Sequence, residues 1–294
     1  MFAKSSRRQF LRCFGFVSIF VSAIVFSACD EKNQNLLATW ESTGETPPPV
    51  IFSPKVESLP PQDALVWAGT VSHHLLADEQ IDFWFSQIAK RRTVETFFII
   101  SPSHYGLSTK TWSLADCAWK TKNKIVRTNS KIEREIADFL GVDFDEQVFP
   151  GEHGISTLIP YIAKYFPSAK ICAIAVHGEP PLDQANAQKL ADSLAPYFNE
   201  SGKEKNFLLI STDFAHHGDL AGTIFKDNRS REFFNAPSKS TWIFCGCDNR
   251  PGVYTLAQFL SPQSKVAVIF HTNSFELSGY DENDITSYFF TLFY

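Results

Sequence analysis

Histidine, cysteine and carboxylate side chains recur in this chain just beyond its apolar runs. Leu65 to Val71 leads into His73 and His74, Phe97 to Ile100 into His104, Phe207 to Ile210 into Asp213, His216 and His217, and Trp242 to Phe244 into Cys245. Imidazole is a ligand for iron, copper and zinc. A thiolate or carboxylate beside two histidines makes a mixed N, O and S site with positions open to water or substrate. Short apolar runs bounded by Gly, Pro and Ser read as buried strands, and open α/β sheets bind ligands beyond the carboxyl ends of their strands. The pattern predicts a metal site assembled at one edge of a sheet.

His104 has the strongest local context, because Pro102 and Gly106 bracket it in a tight loop after a strand, where a rigid scaffold presents a ligand. His73 and His74 are adjacent, so an extended segment sends them to opposite faces and one of the two turns inward. His216 and His217 pose the same choice. Asp213 is either a ligand or a group that orients a ligating histidine. Glu152 and His153 stand at the start of a predicted helix, where the glutamate either favours the helix N-terminus or works with His153 as an acid/base. His177 and His271 follow apolar runs with less company and rank as peripheral pocket positions. Among the cysteines, Cys172 lies inside an apolar run and reads as an inert buried thiol. Cys245-Gly246-Cys247 forms either a strained disulfide or a metal thiolate, and Cys245 is the expected ligand.

The elements that must position these groups alternate. After the strand ending at Val71, residues 78–90 place Ile81, Trp84, Phe85 and Ile88 in one helical stripe. Ser130 and Glu133 have the spacing of a capping box that opens a helix through Leu140. Helices are expected over 155–166, 183–198, 225–234 and 252–260, and strands over 171–176, 207–211, 266–270 and 285–293. Strands alternating with helices predict an α/β fold, a single three-layer α/β/α domain with a mostly parallel or mixed central sheet.

The N-terminus carries a different signal. Arg7-Arg8-Gln9-Phe10-Leu11, an apolar stretch from Cys13 to Phe26, and then Ser27-Ala28-Cys29 read as an export segment. The paired arginines resemble a twin-arginine signal, and Phe26-Ser27-Ala28-Cys29 resembles a lipobox whose cysteine becomes the lipidated N-terminus. The competing reading is an uncleaved membrane anchor, for which the apolar run is short. Asp30 after Cys29 resembles an inner-membrane retention signal. The expected organisation is a signal over 1–28, a polar tether with Pro47-Pro48-Pro49 over 29–53, and a domain over 54–294. The body would then sit outside the cytoplasm, anchored by lipid at Cys29.

Apolar residues make up 44% of the chain, enough for a globular core, and the net charge of -5 gives no reason to expect nucleic acid as a partner. The chain has no nucleophile-elbow, P-loop, His-Glu-x-x-His or dinucleotide-binding glycine motif, so serine hydrolase, nucleotide and helix-borne zinc protease chemistry lack their signatures.

Taken in order, these residues resemble the Memo family, also called AmmeMemoRadiSam system protein B, which is related in fold to class III extradiol dioxygenases of the LigB type. The family's Val-Pro-His is met by Val71-Ser72-His73, its Gly-Pro-Ser-His by Ser101-Pro102-Ser103-His104, and its Glu-His-Ser by Glu152-His153-Gly154. Its Ser-Ser-Asp-Phe-x-His is met by Ser211-Thr212-Asp213-Phe214-Ala215-His216, and its Cys-Gly by Cys245-Gly246. The resemblance implies a metal held by His73, His104 and Cys245, lined by Asp213 and His216, with Glu152 and His153 nearby. Iron is the first expectation and copper the second. The implied activity is oxygen-dependent oxidation of a small molecule, with non-catalytic binding of metal or a partner as the alternative. The chain departs from the family pattern at Ser72, His74 and Gly154, and Cys247 adds a second thiol.

Overall fold

A computed structural model of the chain describes residues 33–177 and 183–294. Cys29 and the export segment lie outside the described residues. Among the described residues no helix is long and apolar enough to cross a membrane.

The strands are β1 (Asn35–Ala38), β2 (Ala68–Val71), β3 (Thr96–Pro102), β4 (Trp112–Leu114), β5 (Cys117–Lys120), β6 (Ile125–Arg127), β7 (Lys170–Val176), β8 (Asn206–Ser211), β9 (Val266–Asn273) and β10 (Ser287–Phe293). Seven form the main sheet in the order β4-β7-β3-β8-β2-β10-β9. Its centre, β7-β3-β8-β2, is parallel, and β4, β10 and β9 extend it by antiparallel pairing. The fold is therefore α/β with a mixed sheet.

Side-chain alternation along the central strands divides the core in two. Phe97, Ile99, Ile171, Ala173, Phe207 and Leu209 pack on one face with Trp84 and Phe85 of the helix Asp78–Ala89. Their neighbours Phe98, Ile100, Cys172, Ile174, Leu208 and Ile210 pack on the other with Leu190, Phe233 and Leu256 from three further helices. Both faces are apolar because both are covered, as parallel strands require. Gly69 in β2 is needed for close approach: a Cβ there would lie 2.2 Å from the Thr291 carbonyl of β10.

Strand order also sets the position of the site. The chain runs from β2 through the helix Asp78–Ala89 to β3, and later returns to insert β8 between them. The carboxyl ends of β2, β8 and β3 thus lie side by side, and His73, Asp213 and His104 follow them in sequence.

Three local expectations differ from the structure. Trp242 to Phe244 is not a strand; residues Thr241–Phe244 form a 3-10 turn in which Cys245 N–H donates to the Trp242 carbonyl at 3.0 Å. So short an apolar run cannot specify a strand, and Ser238 and Thr241 fix the turn through hydroxyl hydrogen bonds. The capping box also does not form. Asn129 takes the cap position, Ser130 donates to Asp116, and the Glu133 carboxyl turns into the core. Finally, the stretch read as a tether packs on the domain from Gln34 onward. β1 pairs in parallel with β5 in a second, three-stranded sheet.

Candidate metal centre

His73, His104, Asp213 and His216 converge beyond the ends of β2, β3 and β8, and Asp248 closes the group from the loop before the helix Arg250–Gln258. That loop is fastened to the sheet edge. Asn249 donates through Nδ2 to the carbonyls of Ile100 (2.8 Å) and Ser211 (2.9 Å), spanning β3 and β8, while its Oδ1 accepts from Gly252 N–H and caps the helix. Asp248 Oδ1 accepts from Thr212 Oγ1 (2.7 Å) and from Asp213 N–H (3.0 Å). Its Oδ2 has no hydrogen-bond partner and is buried. Facing that oxygen are the Nε2 atoms of His216 at 3.5 Å, His73 at 3.6 Å and His104 at 4.0 Å.

The proton positions on two of these rings follow from their partners. Ser211 Oγ donates its single proton to the Gly154 carbonyl at 2.5 Å, so it accepts from His73 Nδ1–H at 3.0 Å. His104 Nδ1–H donates to the Glu152 carboxylate at 2.6 Å. Both rings therefore turn Nε2 toward the centre. Burial and the neighbouring imidazoles push His73 well below its usual range, and burial lowers His153 and His216 to about 4, so these rings are neutral. His216 Nε2 is buried and has no hydrogen-bond partner.

Imidazole nitrogens and carboxyl oxygens are thus gathered on one point. Burial raises Asp213 to about 7, with Ser72 Oγ donating to its Oδ1 at 2.6 Å, and burial plus Asp213 raise Asp248 well above the carboxylate range. Among the described residues two sets of donor atoms lie close enough together to share an ion: His73, His104 and His153, and His73, Asp213 and Asp248. His73 belongs to both. A buried carboxyl oxygen without a hydrogen-bond partner, faced by three imidazole nitrogens, fits a cation between them.

The adjacent choices resolve geometrically. His74 turns away to the Tyr288 hydroxyl at 2.5 Å. His217, at φ +52°, pairs with Asp284 at the surface. His271 is held by Asp227 and stacks on Phe289. His177, Cys245 and Cys247 line a cavity of about 820 Å³ that also reaches His104, His216 and Asp248. Neither set of close donor atoms includes Cys245. Both thiols are free, and burial raises Cys245 well above its usual range and Cys247 to about 12. Cys117 and Cys172 are free and buried as well.

Asp248 and Asn249 are the functional residues that sequence reasoning missed. Their signal was the Asn249-Arg250-Pro251-Gly252 helix start, since Asn at a cap followed by Pro ties its neighbour to a fixed turn.

Comparison with known proteins agrees with the geometry. A family described as Memo-like protein matches residues 80–237, just over half of the chain. A MEMO1 family protein of Pyrobaculum aerophilum is 24% identical over 259 residues, covering 83% of this chain and 89% of the relative. Another from Caldivirga maquilingensis is 22% identical over 232 residues, covering 75% and 77%. One from Thermococcus kodakarensis is 26% identical over 169 residues, covering 55% and 57%. The match takes in the segments bearing His104, Glu152, His153, Asp213 and His216, and on it the chain belongs to the Memo-like family.

Proposed function

We propose that this Memo-family chain is an exported, lipid-anchored metalloprotein that holds non-haem iron, with copper as the alternative, and oxidises a small molecule with oxygen. One observation carries the metal assignment: the buried, unpartnered Asp248 Oδ2 faced by three histidine Nε2 atoms. His73, His104 and Asp248, whose Oδ2 faces both Nε2 atoms, would hold the ion, with Asp213 and His216 beside it and Cys245 on the cavity wall. Iron there supplies Lewis acidity and electron transfer. Glu152 and Ser211 fix the rings so that Nε2 faces inward. His216 Nε2, buried and unpartnered, is the atom to accept a proton from a substrate in the cavity, and His153 is the second candidate.

Export and anchoring rest on the Arg7-Arg8 and Phe26-Ser27-Ala28-Cys29 signals. The two free thiols on the cavity favour one competing reading, copper binding without catalysis.

The test is metal content of the full chain with its own N-terminal segment, beside His73→Ala and Asp248→Ala, together with oxygen uptake on phenolic test compounds. About one iron or copper per chain, lost in both variants, is expected. Tight copper without oxygen uptake selects the non-catalytic reading. A chain that binds neither metal, and whose oxygen uptake neither metal changes, overturns the proposal.

A further inference from the structure

The cavity beside the metal centre has an electrostatic character of its own. In a chain of net charge -5, its wall gathers Lys226, Arg229 and Arg250, and among the described residues the one carboxylate lining it is Asp248, whose Oδ2 faces the histidines. Arg250 is the distinctive member. Its Nε is buried without a hydrogen-bond partner, and no carboxylate within ion-pair distance of its guanidinium is found among the described residues. The guanidinium lies 5.5 Å over the Trp242 ring, which supports it from one side. Arg229 sits similarly over Phe244, at 5.7 Å. A guanidinium on an aromatic platform is weakly hydrated and presents its planar fork to whatever enters. An orphaned buried donor of that kind costs stability unless a ligand completes it.

Apolar side chains and Tyr105 make up another part of the wall. Phe214 is buried and Phe225 and Ile243 stand exposed at 66% and 55%. Tyr105, 83% exposed, is set there by a left-handed backbone (φ 55°, ψ 20°) immediately after His104. A non-glycine residue held at positive φ beside a functional histidine is backbone strain of the kind retained at ligand sites.

We propose that the cavity binds a small organic acid, its carboxylate or phosphate on Arg250 and Arg229 and its apolar or aromatic body between Phe214, Phe244 and Ile243. The other end of such a molecule reaches the part of the cavity lined by His104, His216 and Asp248. This specifies the substrate class for the centre described above and rests on that reading only for the chemistry that follows binding.

The experiment is calorimetric titration of the full chain, stripped of metal and metal-loaded, with benzoate, phenyl phosphate and the neutral analogue benzamide. It is run on the native chain, Arg250→Gln, Arg250→Lys and Arg229→Gln, with thermal melts confirming that each variant is folded. Benzoate or phenyl phosphate is expected to bind both metal-free and metal-loaded protein. Arg250→Gln should weaken that binding at least about tenfold, the loss expected for a charge-assisted pair, and Arg250→Lys should restore part of it. Benzamide should bind more weakly than benzoate. Binding that is unchanged in Arg250→Gln, that requires metal, or that is absent for both acids overturns the proposal. If no metal is found in the chain yet the acids bind through Arg250, the metal assignment falls and the anion site stands.

Discussion

Glu152 gives no ligand atom to the centre, yet its carboxylate is fully buried and both oxygens are engaged. Oε1 accepts from His104 Nδ1–H and Gly154 N–H, and Oε2 from His104 N–H. It fixes the position and tautomer of His104 together. Glu152→Gln keeps the shape but offers an amide where His104 needs a carboxylate, and is expected to lower metal affinity by about 10–100-fold with the fold intact. Metal titration alongside circular dichroism measures both. A second residue-scale prediction joins two departures from the family pattern. The family has Gly where this chain has Ser101, and Ser where it has Gly154. A Cβ added at Gly154 would lie 2.1 Å from Ser101 Oγ, 3.0 Å from Glu152 Oε1 and 3.2 Å from His104 Cε1. The exchange is compensatory: one small residue is needed at this crossing. Gly154→Ser alone should destabilise by about 1–3 kcal/mol or more and disturb His104, and Ser101→Gly with Gly154→Ser should recover most of the loss. If the double variant melts as low as Gly154→Ser, the two positions are not coupled.

At the scale of elements, apolar runs of four to six residues were legible because central strands covered on both faces need nothing else. β3, β7 and β8 and the helix Asp78–Ala89 appear close to their expected bounds. The histidines after them were legible for the same reason. What could not be read were β4, β5 and β6, three- and four-residue strands whose identity comes from tertiary pairing. Asp248 was hidden because it reaches the centre from a loop through its neighbours' hydrogen bonds, with no apolar run to announce it. Glu133 shows how a local motif can mislead. It shares a helical face with Ile136, Ala137 and Leu140, and that face goes into the core. Its Oε1 accepts weakly from Ala115 N–H at 3.4 Å, its Oε2 is unpartnered, and burial raises its pKa well above the usual carboxylate range. A carboxyl raised on folding contributes stability below its unfolded value and loses it as pH rises toward the folded one. The slope can approach 1.4 kcal/mol per pH unit, on the order of one proton's linkage. Glu133→Gln should therefore gain on the native chain as pH rises from about 4.3. Denaturant melts at several pH values check this, and a stability difference that is flat with pH refutes it.

For the whole molecule, the consequential feature is where the domain begins. Composition reads residues 29–53 as a free tether, whereas β1 pairs with β5 along Asn35 to Ala38. Trp40 donates through Nε1 to the Thr157 carbonyl at 3.0 Å and sets its ring at a tilt beside Tyr161, and Ile51 N–H donates to the Leu277 carbonyl at 2.8 Å. Thr157 directly follows the helix His153–Ser156, which carries His153 and is capped by Glu152. The N-terminal segment thus braces the segment that carries His153 of the candidate metal centre. If Cys29 carries lipid, residues 30–33 alone separate it from Gln34, a reach of roughly 17 Å when fully extended. Two truncated chains separate a brace from a tether. A chain beginning at Asn33 should keep the native chain's melting temperature and metal content. One beginning at Pro54 loses β1, the Trp40 hydrogen bond and the Ile51 hydrogen bond, and is expected to melt several degrees lower and hold metal more weakly. Equal melting temperatures for the two would return the segment to the role of a linker.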